Sequence, residues 1–184
     1  MTVIVGFVDK EKRQMIMGSD TLLSGGQEAV STSHEKIFED GGYLIGHTGS
    51  PRAMQIVRYA NKFPRYTKKY DKDPTEFVCN RIVPSLITCL IEHGYAKNEA
   101  GHIETEDIFM LMFRGHIYSI WSDFQVFEAN HDFFAIGSGS QIALGSFMAS
   151  EGQEPEDRVY MAVESSMEFS TNVGGECRMI KKKY

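Results

Sequence analysis

Residues 2–20 read TVIVGFVDKEKRQMIMGSD, two apolar runs separated by a charged turn. The first run is rich in β-branched and aromatic residues, and the second, from Gln14 to Asp20, alternates apolar and polar side chains. This pattern predicts that the chain opens as a β-hairpin. A Gly-rich loop at 24–26 follows, and the segments KIF and YLIGHTG around Asp40-Gly41-Gly42 predict a second hairpin.

Two helices are predicted next. Ser50 offers an N-cap with Pro51 at the first helical position, and Asp73-Pro74-Thr75-Glu76 resembles a capping box. Pro84 is expected to kink the second helix. Further on, the sequence predicts the strands IFMLMF, IYSIWS, QVFEA and FFAIG, the helical segments IALGSFMAS and 155–169, and a last strand, ECRMI.

Blocks of strands alternate with pairs of helices, rather than single strands with single helices. This order favours antiparallel sheets that bury one face against each other and carry helices on the other. We therefore expect an α+β fold, a four-layer αββα sandwich with two antiparallel sheets between helical layers. No repeat or linker divides the chain, so residues 1–184 are expected to form one domain.

Composition excludes several classes of partner. The 184 residues carry 19 basic and 25 acidic side chains, a net charge of −6 that disfavours nucleic acid. The basic cluster Lys181 to Lys183 is interpreted as a solvated tail. Glycines and serines interrupt the uncharged stretch 133–150, so no membrane span is expected. Three cysteines without a CxxC pair, and no signal peptide, favour the reducing cytoplasm.

Common catalytic motifs are absent from the sequence. It contains no phosphate-binding GxxxxGK[ST] loop, no GxGxxG, no G-x-S-x-G elbow and no HExxH. Thr2, at the head of the first strand, is the remaining candidate. Removal of Met1 by an aminopeptidase would give Thr2 a free α-amino group, with a reference pKa of about 7.7–8.0, that can act as base for its own hydroxyl.

The position of Thr2 alone is a weak indication of function, but several further residues form a pattern with it. Asp20 ends the second strand, Lys36 lies in EKIF, Gly49 in HTGS and Ser138 in AIGSGS. In these residues and their spacing the chain resembles the proteasome β-subunit and HslV family of N-terminal-nucleophile (Ntn) hydrolases. The resemblance runs from Thr2 to Gly175, although residues 62–106 carry none of its motifs.

The resemblance implies a threonine endopeptidase. Thr2 would be the nucleophile, and Lys36, paired with Asp20, would lower the pKa of the Thr2 amine. The backbone N–H of Gly49 would stabilise the oxyanion, and the Ser138 hydroxyl would relay the proton of the amine.

The family places Asp-x-x-Ser before its last glycines, where this chain has Glu168-Phe169-Ser170-Thr171. By resemblance, Glu168 and Thr171 would complete the catalytic set. HslV can hold a monovalent cation in this neighbourhood, which implies a Na⁺ site near Ser165, Glu168 and Thr171; no other cofactor is required.

The resemblance also implies partners and a substrate pocket. The chain would form stacked homo-oligomeric rings of six or seven subunits each, and an AAA+ ATPase unfoldase, a separate polypeptide, would feed it unfolded proteins. Leu23 and His47 would line the pocket beside the nucleophile. Their apolar and neutral character favours cleavage after apolar or aromatic residues.

Two alternatives remain at this point. A non-catalytic barrel-forming subunit would keep the fold and could keep Met1, but it has no reason to keep Thr2, Asp20 and Lys36 together. A small-molecule Ntn amidohydrolase would have a small closed pocket and no oligomeric chamber, so its native mass would distinguish it.

Overall fold

The first two strands are buried on both faces, because apolar side chains point to both sides of the sheet. The computed structural model describes residues 2–25, 28–31, 35–99 and 102–184. The hairpin is present, with Ile4 opposite Ser19 in antiparallel pairing. Val3 and Val5 enter one apolar cluster, whereas Ile4 enters another on the opposite face. This sheet therefore lies inside the molecule.

The strands form two main antiparallel sheets. The first has the order β12-β1-β2-β13, the second has the order β11-β10-β9-β6-β5, and β3-β4 and β7-β8 are separate two-stranded hairpins. The strands are β1 (Val3–Asp9), β2 (Gln14–Ser19), β3 (Leu22–Gly25), β4 (Glu28–Ser31), β5 (Ile37–Asp40), β6 (Tyr43–Thr48), β7 (Lys97–Glu99), β8 (His102–Glu104), β9 (Ile108–Phe113), β10 (His116–Ile120), β11 (Val126–Glu128), β12 (Phe133–Gly137) and β13 (Arg178–Lys183).

The helices cover the outer faces of the two sheets. They are α1 (Pro51–Tyr59), α2 (Pro74–Phe77), α3 (Val83–Glu92), α4 (Ser140–Ala149) and α5 (Pro155–Phe169). Helices α4 and α5 pack on the first sheet, where Phe147 and Val163 join Val3 and Val5 in one cluster. Helices α1 to α3 cover the second sheet. The α+β, four-layer αββα prediction is confirmed.

The layer between the two sheets is built from aliphatic side chains and methionines. Ile4 and Met17 of the first sheet meet Leu44, Met110 and Met112 of the second. A Cβ on Gly46 would lie 2.5 Å from Ile4 Cγ2, so glycine is needed for the sheets to approach this closely. This contact holds the ends of β1 and β6 near each other.

Several local predictions are refined by the structure. Lys181 to Lys183 are solvent-exposed or half-buried, but they are not a free tail. They extend β13, which pairs with β2 from Arg178 opposite Ser19 to Lys183 opposite Gln14. The last strand thus starts two residues later than ECRMI. Pairing with an existing strand outweighs the mutual repulsion of three lysines, two of which form ion pairs with glutamates.

The predicted Gly-rich loop is part of the β3-β4 hairpin as far as Gly25, while Gly26 lies outside the described residues. The β7-β8 hairpin has no signal in the polar sequence around it. Pro84 was expected to kink the second helix. The helix is irregular just before this proline, where residues Val78–Ile82 form a π-helical turn and the Val83 N–H donates to Val78 O. Proline has no N–H to continue the regular pattern beyond that turn.

Candidate active site

Strand ends bring the predicted residues to one edge of the sandwich. Thr2 precedes β1, Asp20 follows β2, and Ser138 follows β12, and these three strands are neighbours in the first sheet. Lys36 precedes β5 and Gly49 follows β6 in the second sheet. Because side chains at the ends of adjacent strands meet, residues far apart in sequence can share one site.

Asp20 and Lys36 form a buried ion pair. Lys36 Nζ donates to Asp20 Oδ1 at 2.8 Å and to the carbonyl oxygen of Leu22 at 2.7 Å. Asp20 is fully buried and Lys36 is 4% exposed. Burial lowers the pKa of Lys36 from its usual 10.5, while the charge of Asp20 and its hydrogen bond act in the opposite direction.

Asp20 has further hydrogen-bond donors around it. Its Oδ1 accepts the Val3 N–H at 3.0 Å, and its Oδ2 accepts the Gly174 N–H at 3.1 Å. The carboxylate therefore links the start of β1, the lysine and the loop that follows α5. This arrangement sets the cation of Lys36 beside the residue that follows Thr2.

Ser138 lies against the backbone of Thr2. The Thr2 N–H donates to Ser138 Oγ at 3.3 Å, and Ser138 Oγ lies 3.4 Å from the carbonyl oxygen of Thr2. A Cβ on Gly137, whose φ is +94°, would lie 2.2 Å from Thr2 O. This glycine therefore allows the turn to press on Thr2. Thr2 itself is 7% exposed, and Met1 lies outside the described residues.

Gly49 occupies the turn between β6 and α1 with a φ of +127°, a conformation that favours glycine. The next residue, Ser50, caps α1 by accepting the Arg52 N–H at Oγ. Asp107, at the start of β9, accepts the Ser50 N–H at 2.8 Å. Asp107 was not predicted as a site residue, because its only signal in the sequence is its place directly before the apolar run IFMLMF.

The two predicted pocket residues differ in exposure. Leu23, in β3, is half-buried, whereas His47, in β6, is only 4% exposed. The His47 ring bonds to Asp107 Oδ1 at 2.8 Å through Nε2 and packs 5.0 Å from the ring of Phe109. Their role in lining a substrate pocket stays a prediction.

Ser165, Glu168 and Thr171 lie at the end of α5 and just beyond it. The side chains of Glu168 and Thr171 are exposed, and Thr171 Oγ1 accepts the Asn172 side-chain amide at 2.9 Å. The structure brings the backbone after them, at Gly174, to Asp20, rather than these side chains. Their hydroxyl, carboxylate and helix-end carbonyl oxygens are ligand types that suit Na⁺. The cation site stays a prediction.

Ser166 is a second residue that the sequence did not reveal. It is fully buried, and its Oγ lies 2.8 Å from Ala162 O and 3.1 Å from Gly139 O. It thereby joins α5 to the turn that carries Ser138. Within the described parts of the chain, no three or more His, Cys, Asp or Glu side chains cluster as metal ligands, and no helix has the length and apolarity to cross a membrane.

Solved structures share this architecture. Thiobacillus denitrificans BPH, a bacterial proteasome homologue, is 22% identical with a TM-score of 0.77, and the match covers 100% of this chain and 98% of BPH. BPH in complex with epoxomicin is 20% identical, also with a TM-score of 0.77, over 99% of this chain and 98% of BPH. Eukaryotic HslV from Trypanosoma brucei is 15% identical, with a TM-score of 0.69 and complete coverage of both chains.

The chain has the fold of BPH and HslV. No protein-family model and no curated protein sequence matches it. The fold resemblance inferred from Thr2, Asp20, Lys36, Gly49 and Ser138 is confirmed. Sequence identities of 15–22% show the shared fold alone, so the roles of individual residues have to be argued from the geometry described above.

Proposed function

We propose that this chain is a threonine endopeptidase of the proteasome β-subunit and HslV family, with Thr2 as its nucleophile once Met1 is removed. The observation that carries the proposal is the buried pair of Lys36 and Asp20, whose carboxylate also holds the N–H of Val3. Burying a cation is costly, and such perturbed groups concentrate at functional sites.

The first half of the reaction forms an ester. The free amine of Thr2 takes the proton of its own hydroxyl, and Oγ attacks the peptide carbonyl carbon. The tetrahedral intermediate collapses as the C–N bond breaks, and the leaving amine receives the proton. In the second half, water activated by the same amine hydrolyses the ester and restores Thr2.

The neighbouring residues support these steps by charge and hydrogen bonds. The Lys36 cation disfavours the protonated form of the Thr2 amine and so lowers its pKa toward neutral pH. The Ser138 hydroxyl, whose Oγ lies 3.3 Å from the Thr2 nitrogen, would pass the proton. The Gly49 N–H would stabilise the oxyanion.

Assembly and partners belong to the same proposal. BPH and HslV share the fold, and we propose that this chain likewise forms stacked homo-oligomeric rings in the cytoplasm. Active sites enclosed in a chamber would act on unfolded polypeptides, which a separate AAA+ ATPase would deliver. Na⁺ near Ser165, Glu168 and Thr171 would be held by oxygen atoms and would stabilise the loop after α5.

Thr2→Ala tests the mechanism, with Thr2→Ser as the matched variant. Loss of Met1 is first verified by intact mass. Thr2→Ala should then lower peptide hydrolysis at least about 10³-fold, because the nucleophile is gone, whereas Thr2→Ser retains a hydroxyl and measurable activity. Both should keep the native mass of the wild type. Because BPH binds epoxomicin, inhibition of the wild-type peptide hydrolysis by epoxomicin is a second readout. Full activity of Thr2→Ala would refute the proposal.

A further inference from the structure

Asp107 is a buried carboxylate that faces the turn containing Gly49. It lies directly before β9, and the last pair of the β6-β9 ladder, Thr48 opposite Ile108, places Gly49 across from it. Asp107 is fully buried. One of its oxygens, Oδ1, accepts hydrogen bonds from His47 Nε2 and from the Ser50 N–H, each at 2.8 Å.

This single oxygen contacts the chain on both sides of Gly49. His47 lies two residues before the glycine and Ser50 directly after it. Because an ionised carboxylate only accepts hydrogen bonds, His47 Nε2 carries the proton in this contact. The turn is therefore held at two points by the same atom.

The fit between the turn and Asp107 leaves no room for a side chain at position 49. A Cβ on Gly49 would lie 2.2 Å from Asp107 Oδ1 and 3.0 Å from Asp107 Cα, and φ at Gly49 is +127°. Glycine is thus required both by conformation and by close approach. The backbone of the turn lies directly against the carboxylate.

Tyr95 is a further neighbour of the Asp107 carboxylate. The pKa of Tyr95 is raised to about 12, chiefly by burial and further by the nearby Asp107 carboxylate. Burying a carboxylate is unfavourable unless donors compensate it. The two donors to Oδ1, His47 Nε2 and the Ser50 N–H, both belong to the turn, whereas the buried Oδ2 has no hydrogen-bond partner among the described residues.

We propose that Asp107 is a positioning residue that aims the Gly49 N–H at the oxyanion of the reaction. The inference rests on the proposed peptidase function. An oxyanion donor contributes only when it lies at hydrogen-bond distance from the developing charge, and a displacement of about 1 Å can cost on the order of 10²-fold in rate. Asp107 would act through the turn, which it contacts at His47 and Ser50.

Ser50→Pro compared with Ser50→Ala tests whether the position of the turn at Ser50 affects catalysis. Ser50 has φ −75° and already precedes a proline, so the backbone angles at this position suit a second proline. The substitution replaces the N–H that Asp107 accepts with a ring carbon that must push against Oδ1, so it removes the hydrogen bond and displaces the turn. Ser50→Ala removes the cap alone. We expect kcat of Ser50→Pro to be about 10-fold below that of Ser50→Ala, with KM within about twofold.

Asp107→Ala removes both contacts, and Asp107→Asn restores an oxygen acceptor in the same place. We expect kcat to fall about 10- to 100-fold in Asp107→Ala with little change in KM, and to recover to within about fivefold of wild type in Asp107→Asn. The control is Asp9→Ala. Asp9 is also buried and accepts a backbone N–H, from Lys12 at 2.9 Å, at the opposite end of β1, so its loss should leave kcat unchanged.

Hydrogen exchange of the peptide covering residues 48–52 completes the experiment, because it reports on the turn without requiring activity. Faster exchange in Asp107→Ala together with lower kcat supports the proposal. The inference is overturned if wild-type hydrolysis depends on Thr2 but kcat of Asp107→Ala equals that of wild type, or kcat of Ser50→Pro equals that of Ser50→Ala. If wild type shows no Thr2-dependent hydrolysis, the proposed function itself fails, whatever the exchange shows. Should Asp107→Ala not fold, the two Ser50 variants decide.

Discussion

The carboxylate of Asp20 joins parts of the fold at the residue on which the proposed chemistry depends. Its two oxygens accept from Lys36 Nζ, from the Val3 N–H and from the Gly174 N–H, at distances between 2.8 and 3.1 Å. Three distant parts of the chain therefore converge on one buried charge. Because the pair is buried, removing either partner leaves an uncompensated charge, which typically costs about 3–5 kcal/mol.

Lys36→Met tests the lysine at this scale, since methionine keeps an unbranched chain of similar length. We expect kcat to fall on the order of 10²-fold, because the Thr2 amine loses the cation that lowers its pKa. In the wild type, activity should also decline with rising pH, because Lys36 loses its charge as the pH passes its pKa. Since that pKa is lowered, the decline should begin at a pH below the usual 10.5 of lysine. A pH–rate profile of each protein measures both effects.

The control is Lys181→Met. Lys181 Nζ lies 2.8 Å from Glu156 Oε1, the same separation as in the buried pair, but its side chain is 43% exposed. Exposed pairs contribute about 0–1 kcal/mol, and this one is outside the site, so kcat should not change. Equal kcat in Lys36→Met and wild type would reduce Lys36 to a structural role.

At the scale of elements, the start of α4 is held by close packing rather than by a capping side chain. Gly139 is the N-cap of α4, and a Cβ there would lie 2.9 Å from Ser166 Cβ and 3.0 Å from Val3 Cβ. Helix α5, strand β1 and the turn with Ser138 thus meet at one glycine. The position of Ser138 depends on that contact.

Gly139→Ala should therefore lower the free energy of unfolding by about 1–3 kcal/mol and reduce kcat, because the added methyl group displaces the turn beside Thr2. Gly145→Ala, in the same helix, is the matched substitution: a Cβ there meets nothing within 4 Å. It should raise the free energy of unfolding by up to about 1 kcal/mol. Denaturant unfolding compares the two, and a destabilisation of equal size in both would contradict the packing argument.

On the scale of the whole molecule, the four layers bury tyrosine hydroxyls that must stay protonated. Burial raises the pKa of Tyr43 to about 12, and its hydroxyl donates to Pro64 O at 2.5 Å. In the unfolded chain tyrosine loses its proton near pH 10. Between these values the folded state binds more protons, so stability falls as pH rises from about 10 to 12.

Tyr43→Phe separates this contribution from the others. At pH 8 the variant should be less stable by about 1 kcal/mol, because the hydrogen bond to Pro64 is lost. As pH rises above 10, it should lose stability less steeply than wild type, since one titrating group is gone. Denaturant midpoints from pH 8 to 11.5, at constant protein concentration, measure both slopes. Parallel slopes would show that Tyr43 does not contribute.

Local pattern in the sequence determined most of the elements and the types of residue at the site. Period-two alternation in residues 2–20 predicted the first hairpin, and the caps at Ser50 and Asp73 predicted where helices begin, because these signals act between near neighbours. Thr2 was a candidate from its place at the head of a strand, whereas Asp20 and Lys36 became candidates through the resemblance to the proteasome β-subunit and HslV family. The pairing of β13 with β2 had no such local signal, and the lysines at its end were misread.

Only the tertiary structure decided which of these residues meet and how deeply they are buried. The order of strands in two sheets brings Gly174 to Asp20 and Asp107 to Gly49, across 154 and 58 positions of sequence. No local pattern encodes such contacts, because they depend on the pairing of whole strands. Burial, which turns Lys36 and Asp20 from an ordinary surface pair into a buried ion pair, is likewise a property of the stacked layers and not of the segments themselves.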